Sequence, residues 1–112
     1  MKTLPKYFRK NTSIKTVLIS GLHWFDKVNG NSYNAVRVVV NHGLKNEFSF
    51  RLPFSYGYGD YYVQRTIEHL VKIGAVSDYY GFMQLQRDNK INVIAHITKN
   101  CKQREVKTWG AE

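Results

Sequence analysis

Four tyrosines and two glycines precede a helical pattern in the segment PFSYGYGDYYVQRTIEHL, residues 53–70. An exposed aromatic ring can stack on a nucleic-acid base, which contributes about 1–3 kcal/mol per base. A buried tyrosine instead fills volume in the core while its hydroxyl reaches a polar partner. We expect Tyr62 to pack beneath the helix and Tyr56 or Tyr58 to be exposed. Tyr56 and Tyr58 are therefore the candidates for contact with bases.

The two glycines of this segment also resemble those of loops that bind phosphate through backbone N–H groups at a helix N-terminus. Their spacing matches neither a P-loop nor a dinucleotide-binding fingerprint, and no lysine follows them. Asp60 would place a carboxylate where the phosphate should lie. We therefore expect Asp60 to cap the helix, and Gly57 and Gly59 to let the chain turn into it.

The net charge of +9 predicts an anionic partner. The 17 Lys and Arg outnumber the 8 Asp and Glu, and the pI is about 9.8. Residues 1–25 contain five of the cations and no acid, whereas residues 60–90 contain four residues of each sign. A surplus of this size attracts polyanions over a long range, although the same residues could form an ordinary hydrated surface. The residues expected to contact phosphates are Lys6, Arg9, Lys10, Arg37 and Arg51.

No catalytic or metal-binding arrangement is evident. The four histidines have no paired spacing and Cys101 is the only cysteine, so a zinc site is not predicted. Glu68 and His69 project about 100° apart on a helix, which is unsuited to sharing one substrate proton. No known catalytic motif is present. We expect a protein that is not an enzyme and that binds no cofactor or metal.

The sequence also predicts a cytoplasmic location. A single cysteine cannot form an internal disulfide, which is typical of proteins from a reducing compartment. The apolar run TVLISGL, residues 16–22, is too short for the core of a signal peptide. No stretch approaches the ~20 apolar residues that span a bilayer. We therefore expect no membrane association.

Three segments predict an antiparallel meander of strands. IKTVLISGLHWF and YNAVRVVVN flank Asn29 and Gly30, a pair that tolerates the positive φ angles of a tight turn. The third segment is EFSFRLPF, in which apolar and polar residues alternate. One face of the sheet would take Val36, Val38, Val40, Phe48, Phe50 and Leu52. Arg37 and Arg51 would then lie on the opposite face of adjacent strands, which we expect to be open.

A helix follows the meander. Val63, Ile67, Leu70 and Val71 recur at helical spacing, and Gly74 is a plausible stop. After it, DYYGFMQLQ is compatible with a strand or a turn of helix, INVIAHIT predicts a strand, and REVKTW is compatible with a last strand. The predicted fold class is α+β: a largely antiparallel sheet, made of the three-stranded meander plus one to three C-terminal strands, with one main helix packed on one face.

The chain is predicted to form one domain with a basic extension. Residues 1–13 form an N-terminal arm that is ordered only if Leu4, Tyr7 and Phe8 dock on the rest of the chain. Residues 14–112 form a single α+β domain.

Three phrases carry a resemblance to a known group of proteins. They are WFDKVNGNSYNAVRV at 24–38, YGYGDYY at 56–62 and KQREVKTWG at 102–110. Together they resemble small accessory proteins of tailed bacteriophages. The resemblance spans most of the chain from Trp24 onward. It implies a host-cell cytoplasm and a role during infection, either handling nucleic acid or binding and blocking a host protein. It assigns no catalytic or binding residue.

Charge, aromatic residues and resemblance together predict a small, basic, phage-type accessory protein that binds nucleic acid without catalysis. Lys and Arg would contact phosphates and exposed tyrosines would contact bases. The alternative is an inhibitor that binds a host defence or replication factor, with aromatic anchors in its interface. A virion component that assembles through sheet edges is a third possibility. The protein is expected to be a monomer or a small homo-oligomer.

Overall fold

A computed structural model describes residues 4–111, with side chains through Trp109. Its centre is a four-stranded sheet in the order β3-β2-β1-β4. The strands are β1 Thr16–Asp26, β2 Asn31–Val40, β3 Phe48–Tyr56 and β4 Asn92–Thr98. The first three strands form the predicted antiparallel meander, but β4 runs parallel to β1. The sheet is therefore mixed, which corrects the prediction of a largely antiparallel one.

The fold has three helices rather than one. They are α1 Tyr61–Lys72, α2 Tyr79–Arg87 and α3 Gln103–Ala111. The α1 and α2 segments carry the chain back toward the beginning of β1, where Asn92 N–H donates to the Lys15 carbonyl at 2.9 Å. That return makes β4 parallel to β1. The residue pattern of a strand does not indicate whether it runs parallel or antiparallel to its neighbour, so the sequence could not distinguish the two directions for β4.

The C-terminal segment that was compatible with a strand is the helix α3. Its start is stabilised by Glu105, whose carboxylate accepts a hydrogen bond from Lys102 N–H at 2.8 Å. Val106 is the one fully buried residue among its described side chains, and Lys107 and Trp109 also contact residues of the sheet. A segment this short fits both an alternating and a helical pattern, which explains why REVKTW was misassigned.

The core lies between the sheet and the layer formed by α1 and α2. The six apolar residues predicted on one face of β2 and β3 are buried there, as expected. Tyr62, Ile67 and Leu70 of α1 and Phe82 of α2 cover them. The α1 helix ends at Lys72, just before Gly74, which confirms the predicted stop. We call this side of the sheet the α1–α2 face.

The opposite side, called here the α3 face, is covered rather than open. The α3 helix packs across β3, β2 and β1. Arg37 contacts it directly, since the guanidinium carbon lies 3.7 Å from the centre of the Trp109 ring. Its Nε also donates to the Trp109 carbonyl oxygen at 3.2 Å. The expectation of an open sheet face is therefore wrong.

The described part of the arm, residues 4–13, docks where β1 begins. Phe8 meets Phe48 edge to face, with ring centres 5.5 Å apart, and Leu4 packs against the core. Asn11 binds the chain after α1 through its N–H, which donates to the Ala75 carbonyl. Tyr7 is exposed instead of docked. Residues 1–3 of the predicted arm lie outside the described residues.

Candidate functional site

The structure places the seven predicted site residues in three separate regions. Lys6, Arg9 and Lys10 are exposed on the arm, at the end of the sheet where β1 begins. Tyr56 and Tyr58 lie at the other end, where β3 finishes. Strands of nine to eleven residues separate the two ends, which is about 30 Å at 3.3 Å per residue. The predicted residues therefore do not form one compact site.

Arg37 and Arg51 lie between these regions, on the α3 face. They are direct partners in the register of β2 and β3, as their predicted placement on adjacent strands required. Arg37 is half-buried and stacked on Trp109, so its guanidinium helps to hold α3. Arg51 is exposed.

A row of aromatic rings crosses the α3 face beside the two arginines. We define the aromatic row as Trp24, Tyr33, Phe54 and Tyr56. Tyr33 stacks on Trp24 with ring centres 5.4 Å apart and on Phe54 at 4.9 Å, and it meets Tyr56 edge to face at 5.9 Å. Cross-strand pairs of this kind stabilise a sheet. Tyr56 closes the row and is 50% exposed, as predicted for it.

Three further cations, absent from the predicted site, lie on α3 or directly before it, and one of them contacts this row. They are Lys102, Arg104 and Lys107, all exposed. The Lys107 ammonium lies 5.3 Å from the centre of the Phe54 ring, which is cation–π distance. These residues were missed because REVKTW was assigned to a strand. Arg104 and Lys107 are three residues apart, with the buried Val106 between them in the sequence. Residues at this spacing are neighbours on a helix surface, which was the signal for a basic helix.

The charge of the molecule is unevenly distributed along the chain. Residues 60–90, which contain α1 and α2, carry equal numbers of acids and bases. The remaining residues hold thirteen of the Lys and Arg and four of the Asp and Glu, so the whole surplus of +9 lies there. The surplus therefore lies outside the α1–α2 layer, in the arm, the sheet with its turns and the α3 segment, whereas the charges of the α1–α2 layer balance.

The α1–α2 face contains a cavity of about 850 Å³, which we call the tyrosine pocket. It lies between the two helices and the edge strand β4, with Ile67, Val93 and Ala95 among its lining residues. Five tyrosines line it: Tyr56, Tyr58, Tyr61, Tyr62 and Tyr79. Tyr62 is 6% exposed, in agreement with its predicted burial beneath the helix, and it forms part of the wall, whereas Tyr58 is 52% exposed. The pocket size is typical of small-molecule sites.

The two glycines shape this pocket for different reasons. Gly57 is buried, and a Cβ there would overlap the Tyr61 ring and lie 2.9 Å from Asn34 Nδ2. Gly59 has a φ of +49°, a conformation that disfavours residues with side chains. The glycines thus bring residues 56–60, which we call the tyrosine loop, against α1, and no phosphate cradle is needed to explain them.

A partly buried polar bridge connects α1 to the side of the tyrosine loop. Arg65 donates from Nη1 to Asn34 Oδ1 at 2.6 Å and from Nη2 to the Pro53 carbonyl at 2.8 Å. Burial lowers the pKa of Arg65, partly offset by Tyr61 and Glu68. Asn34 is buried in β2, at the irregularity in the pairing of β2 with β3. The bridge therefore ties the helix to the strand end from which the tyrosine loop begins.

Asp60 is the one acidic residue that lines the tyrosine pocket. It occupies the N-cap position of α1, but its side chain accepts no hydrogen bond from the first turn. The predicted side-chain cap is therefore wrong, and the backbone carbonyl of Asp60 accepts from Val63 and Gln64 instead. Burial, followed by the charge of Asp60, raises the pKa of Tyr62. The tyrosine therefore stays a neutral phenol beside the carboxylate.

The pKa of Tyr56 is also raised, chiefly by a side-chain hydrogen bond with Tyr58. These two rings meet edge to face at 5.3 Å, and the Tyr58 hydroxyl lies 3.4 Å from the Gly30 carbonyl that accepts from it. Tyr56 therefore belongs to the aromatic row and to the mouth of the tyrosine pocket. It connects the two candidate surfaces.

Among residues 4–111, no cluster of His, Cys, Asp and Glu is arranged to hold a metal ion. Within the same range, no helix has the length and hydropathy needed to cross a bilayer. Comparisons with protein-family models, with curated proteins and with solved structures found no match for this chain. The resemblance to phage accessory proteins therefore stays a prediction.

Proposed function

We propose that this protein binds nucleic acid without catalysis and that the α3 face is the main contact surface. The observation that carries the proposal is the contact between Lys107 and Phe54, where a basic helix meets a row of aromatic rings. Cations beside aromatic rings are what single-stranded nucleic acid requires, since phosphates and bases alternate along its chain. The supporting observation is that the charge surplus lies outside the neutral α1–α2 layer.

Two kinds of contact follow from this placement. Lys102, Arg104 and Lys107 are exposed and can approach phosphates, together with Arg51 on the neighbouring strand. Tyr56 offers the accessible ring at the end of the aromatic row, and Tyr58 lies beside it. Arg37 acts mainly by holding α3 in place, because its guanidinium already contacts Trp109.

The arm supplies a second, distant contact region. Lys6, Arg9 and Lys10 lie at the opposite end of the sheet from Tyr56. A short oligonucleotide bound to the α3 face would not reach them, whereas a long strand would. If the arm and the α3 face are separate contact regions, substitutions in the arm should weaken binding only to long oligonucleotides.

The test is fluorescence anisotropy with a labelled single-stranded oligonucleotide at roughly 50 and 200 mM salt. The wild-type protein should bind at the lower salt concentration and lose affinity steeply at the higher one, because binding releases counterions. DNA and RNA versions of one sequence are compared in parallel. No binding at low salt, or binding that salt does not change, would contradict the proposal.

Charge-matched variants locate the surface. Lys102, Arg104 and Lys107 are replaced by Gln in one protein, and Lys72, Arg87 and Lys90 in the control, so both lose three positive charges. The α3 variant should lose about 100-fold in affinity at low salt and about two units of salt slope, from roughly 0.7 per phosphate contact. The control should change little. Equal losses in both would mean that only net charge matters.

The alternative of a protein-binding inhibitor predicts a different outcome. A tagged protein recovered from a nuclease-treated bacterial lysate would then retain one stoichiometric protein partner. Loss of all bound material after nuclease treatment supports nucleic-acid binding. Stoichiometric retention, together with absent oligonucleotide binding, would replace the proposal with the inhibitor.

A further inference from the structure

The tyrosine pocket has the opposite electrostatic character to the rest of the protein. The chain carries +9, yet no Lys or Arg is among the residues that line this cavity. Asp60 is the only charged residue among them, and five tyrosines line the same cavity. A surface selected only for polyanions would not be expected to contain such a site.

This composition favours a cation. The face of an aromatic ring carries the negative part of its quadrupole and attracts ammonium groups within about 6 Å of the ring centre. A carboxylate beside the rings adds to that attraction, whereas it would repel a phosphate. Tyr58, Tyr61 and Tyr79 are each more than a third exposed, so their rings are accessible to a ligand.

The carboxylate of Asp60 is available for such a ligand. It makes no side-chain cap bond to α1, and it takes part in no ion pair among the described residues. An aspartate at this position usually satisfies the N–H groups of the first turn. Asp60 instead lines the cavity, where its charge raises the pKa of the neighbouring Tyr62.

The size of the cavity defines the rest of the ligand. A volume of about 850 Å³ exceeds that of a small ammonium ion, and part of the lining is apolar, with Val63, Ile67 and Val93. A ligand that fills it therefore needs an apolar stem in addition to its charge. Gln64 and Gln86 add uncharged hydrogen-bonding groups at the wall.

We propose that the tyrosine pocket binds an organic cation, namely a quaternary or methylated ammonium group on an apolar stem. The ammonium lies against the tyrosine rings beside Asp60, and the stem lies toward α2 and β4. This site is independent of nucleic-acid binding at the α3 face. Tyr56 is shared between the two surfaces, and Tyr58, which also lines the pocket, lies beside it.

The experiment compares choline with 3,3-dimethyl-1-butanol, its uncharged isostere, by NMR titration of the labelled protein. Benzyltrimethylammonium serves as a larger cationic probe. Choline should shift resonances of the tyrosine loop and α2, and it should bind about tenfold more tightly than the isostere because of its charge. The larger cation should bind more tightly than choline. Equal affinity for choline and the isostere, or no binding of any cation, overturns the proposal.

Asp60→Asn tests the carboxylate, with Asp88→Asn as a control that removes the same charge from an exposed position outside the pocket. Asp60→Asn should weaken choline about tenfold and leave the isostere unchanged. Asp88→Asn should leave both unchanged, and Asp60→Glu should restore part of the choline affinity. A thermal unfolding curve checks that Asp60→Asn is folded, which is expected because no cap hydrogen bond is lost.

Uridine and adenosine distinguish a cation site from a site for neutral bases. The proposal is overturned if either nucleoside binds in the pocket with higher affinity than choline and if Asp60→Asn does not change that affinity. Oligonucleotide anisotropy is measured on the same variants. Asp60 is not on the α3 face, so Asp60→Asn should leave oligonucleotide binding unchanged, and that result shows that the two sites are separate. A failure of one proposal is then distinguishable from a failure of the other.

Discussion

The two faces of the sheet are covered in different ways. On the α1–α2 face, Ile67, Leu70 and Phe82 are almost fully buried against apolar strand residues. On the α3 face, Val106 is the fully buried apolar residue that α3 contributes, and the other described contacts include Arg37 stacked on Trp109 and Lys107 over Phe54. The α1–α2 face is a hydrophobic core of almost fully buried residues, whereas the contacts of α3 combine aromatic and cationic side chains with one fully buried valine.

This difference follows from the charges that each face carries. A cation cannot be buried without a large desolvation cost, so a basic face must keep its Lys and Arg hydrated and cannot support a thick apolar layer. On the α3 face, the Trp109 Nε1–H is buried and has no acceptor among the described residues. The face proposed to contact polyanions therefore mixes polar groups with its apolar contacts.

The largest expected effect is on stability and compares one buried residue from each face. Leu70→Ala should lower the free energy of unfolding by about 2–5 kcal/mol, because it leaves a cavity in the core. Val106→Ala should lower it by roughly 2 kcal/mol, since less apolar surface is removed and α3 can adjust. Urea denaturation followed by circular dichroism measures both.

Amide hydrogen exchange sharpens this comparison. Val106→Ala should accelerate exchange within Gln103–Ala111 more than in the strands, because α3 can open locally. Leu70→Ala should accelerate exchange across the whole sheet. If Val106→Ala destabilised the sheet as much as α3, the two faces would form one cooperative core and the contrast between them would be wrong.

The next largest effect is on ligand binding, and it compares Tyr56 of the aromatic row with Tyr79 of the tyrosine pocket. Tyr56→Leu should weaken oligonucleotide binding by about 1–3 kcal/mol, because it removes the exposed ring of the aromatic row. Tyr79→Leu should leave oligonucleotide binding unchanged and weaken choline binding, since Tyr79 lines the pocket only. Anisotropy and NMR titration of both variants measure the four affinities.

Tyr79→Phe is the matched control for the second tyrosine, because it retains the ring and removes only the hydroxyl. It should bind choline like the wild-type protein, as expected for attraction to a ring face. If Tyr79→Leu weakened oligonucleotide binding as strongly as Tyr56→Leu, the nucleic acid would occupy the pocket. The proposed separation of the surfaces would then fail.

Most of the sheet could be predicted from the sequence because its signals are local. Alternation placed Phe48, Phe50 and Leu52 on the core face, and Asn29–Gly30 located the first turn. The exposure of Tyr56 and the burial of Tyr62 followed from the same reasoning. Each of these features depends on the order of neighbouring residues.

The parts that could not be predicted depend on contacts between distant segments. The parallel pairing of β4 with β1 depends on how α1 and α2 return the chain, and the α3 helix is identified by its contact with the sheet. The tyrosine pocket was missed for the same reason, since Tyr79 and the tyrosine loop are about twenty residues apart. The role of Arg37 changed because Trp109, 72 positions later, lies against it.

The smallest expected effect is the pH dependence of the α1–α2 face, which centres on His69. Its ring lies 4.3 Å from the centre of the Phe50 ring, and burial, followed by the charge of Lys72, lowers its pKa below the usual 6.5. The unfolded chain takes up a proton near pH 6.5, whereas the folded protein resists it until a lower pH. The stability contributed by neutral His69 is therefore complete above about pH 6.5 and is lost as the pH falls through the lowered pKa.

His69→Gln should consequently flatten the fall in Tm between about pH 7 and pH 5. His23, whose pKa is also lowered by burial and then by Lys99, accounts for part of the remaining slope. If His69→Gln left the slope unchanged, the His69 ring would be as well hydrated in the folded protein as in the unfolded chain. The α1–α2 face would then be less tightly packed than the contact between His69 and Phe50 indicates.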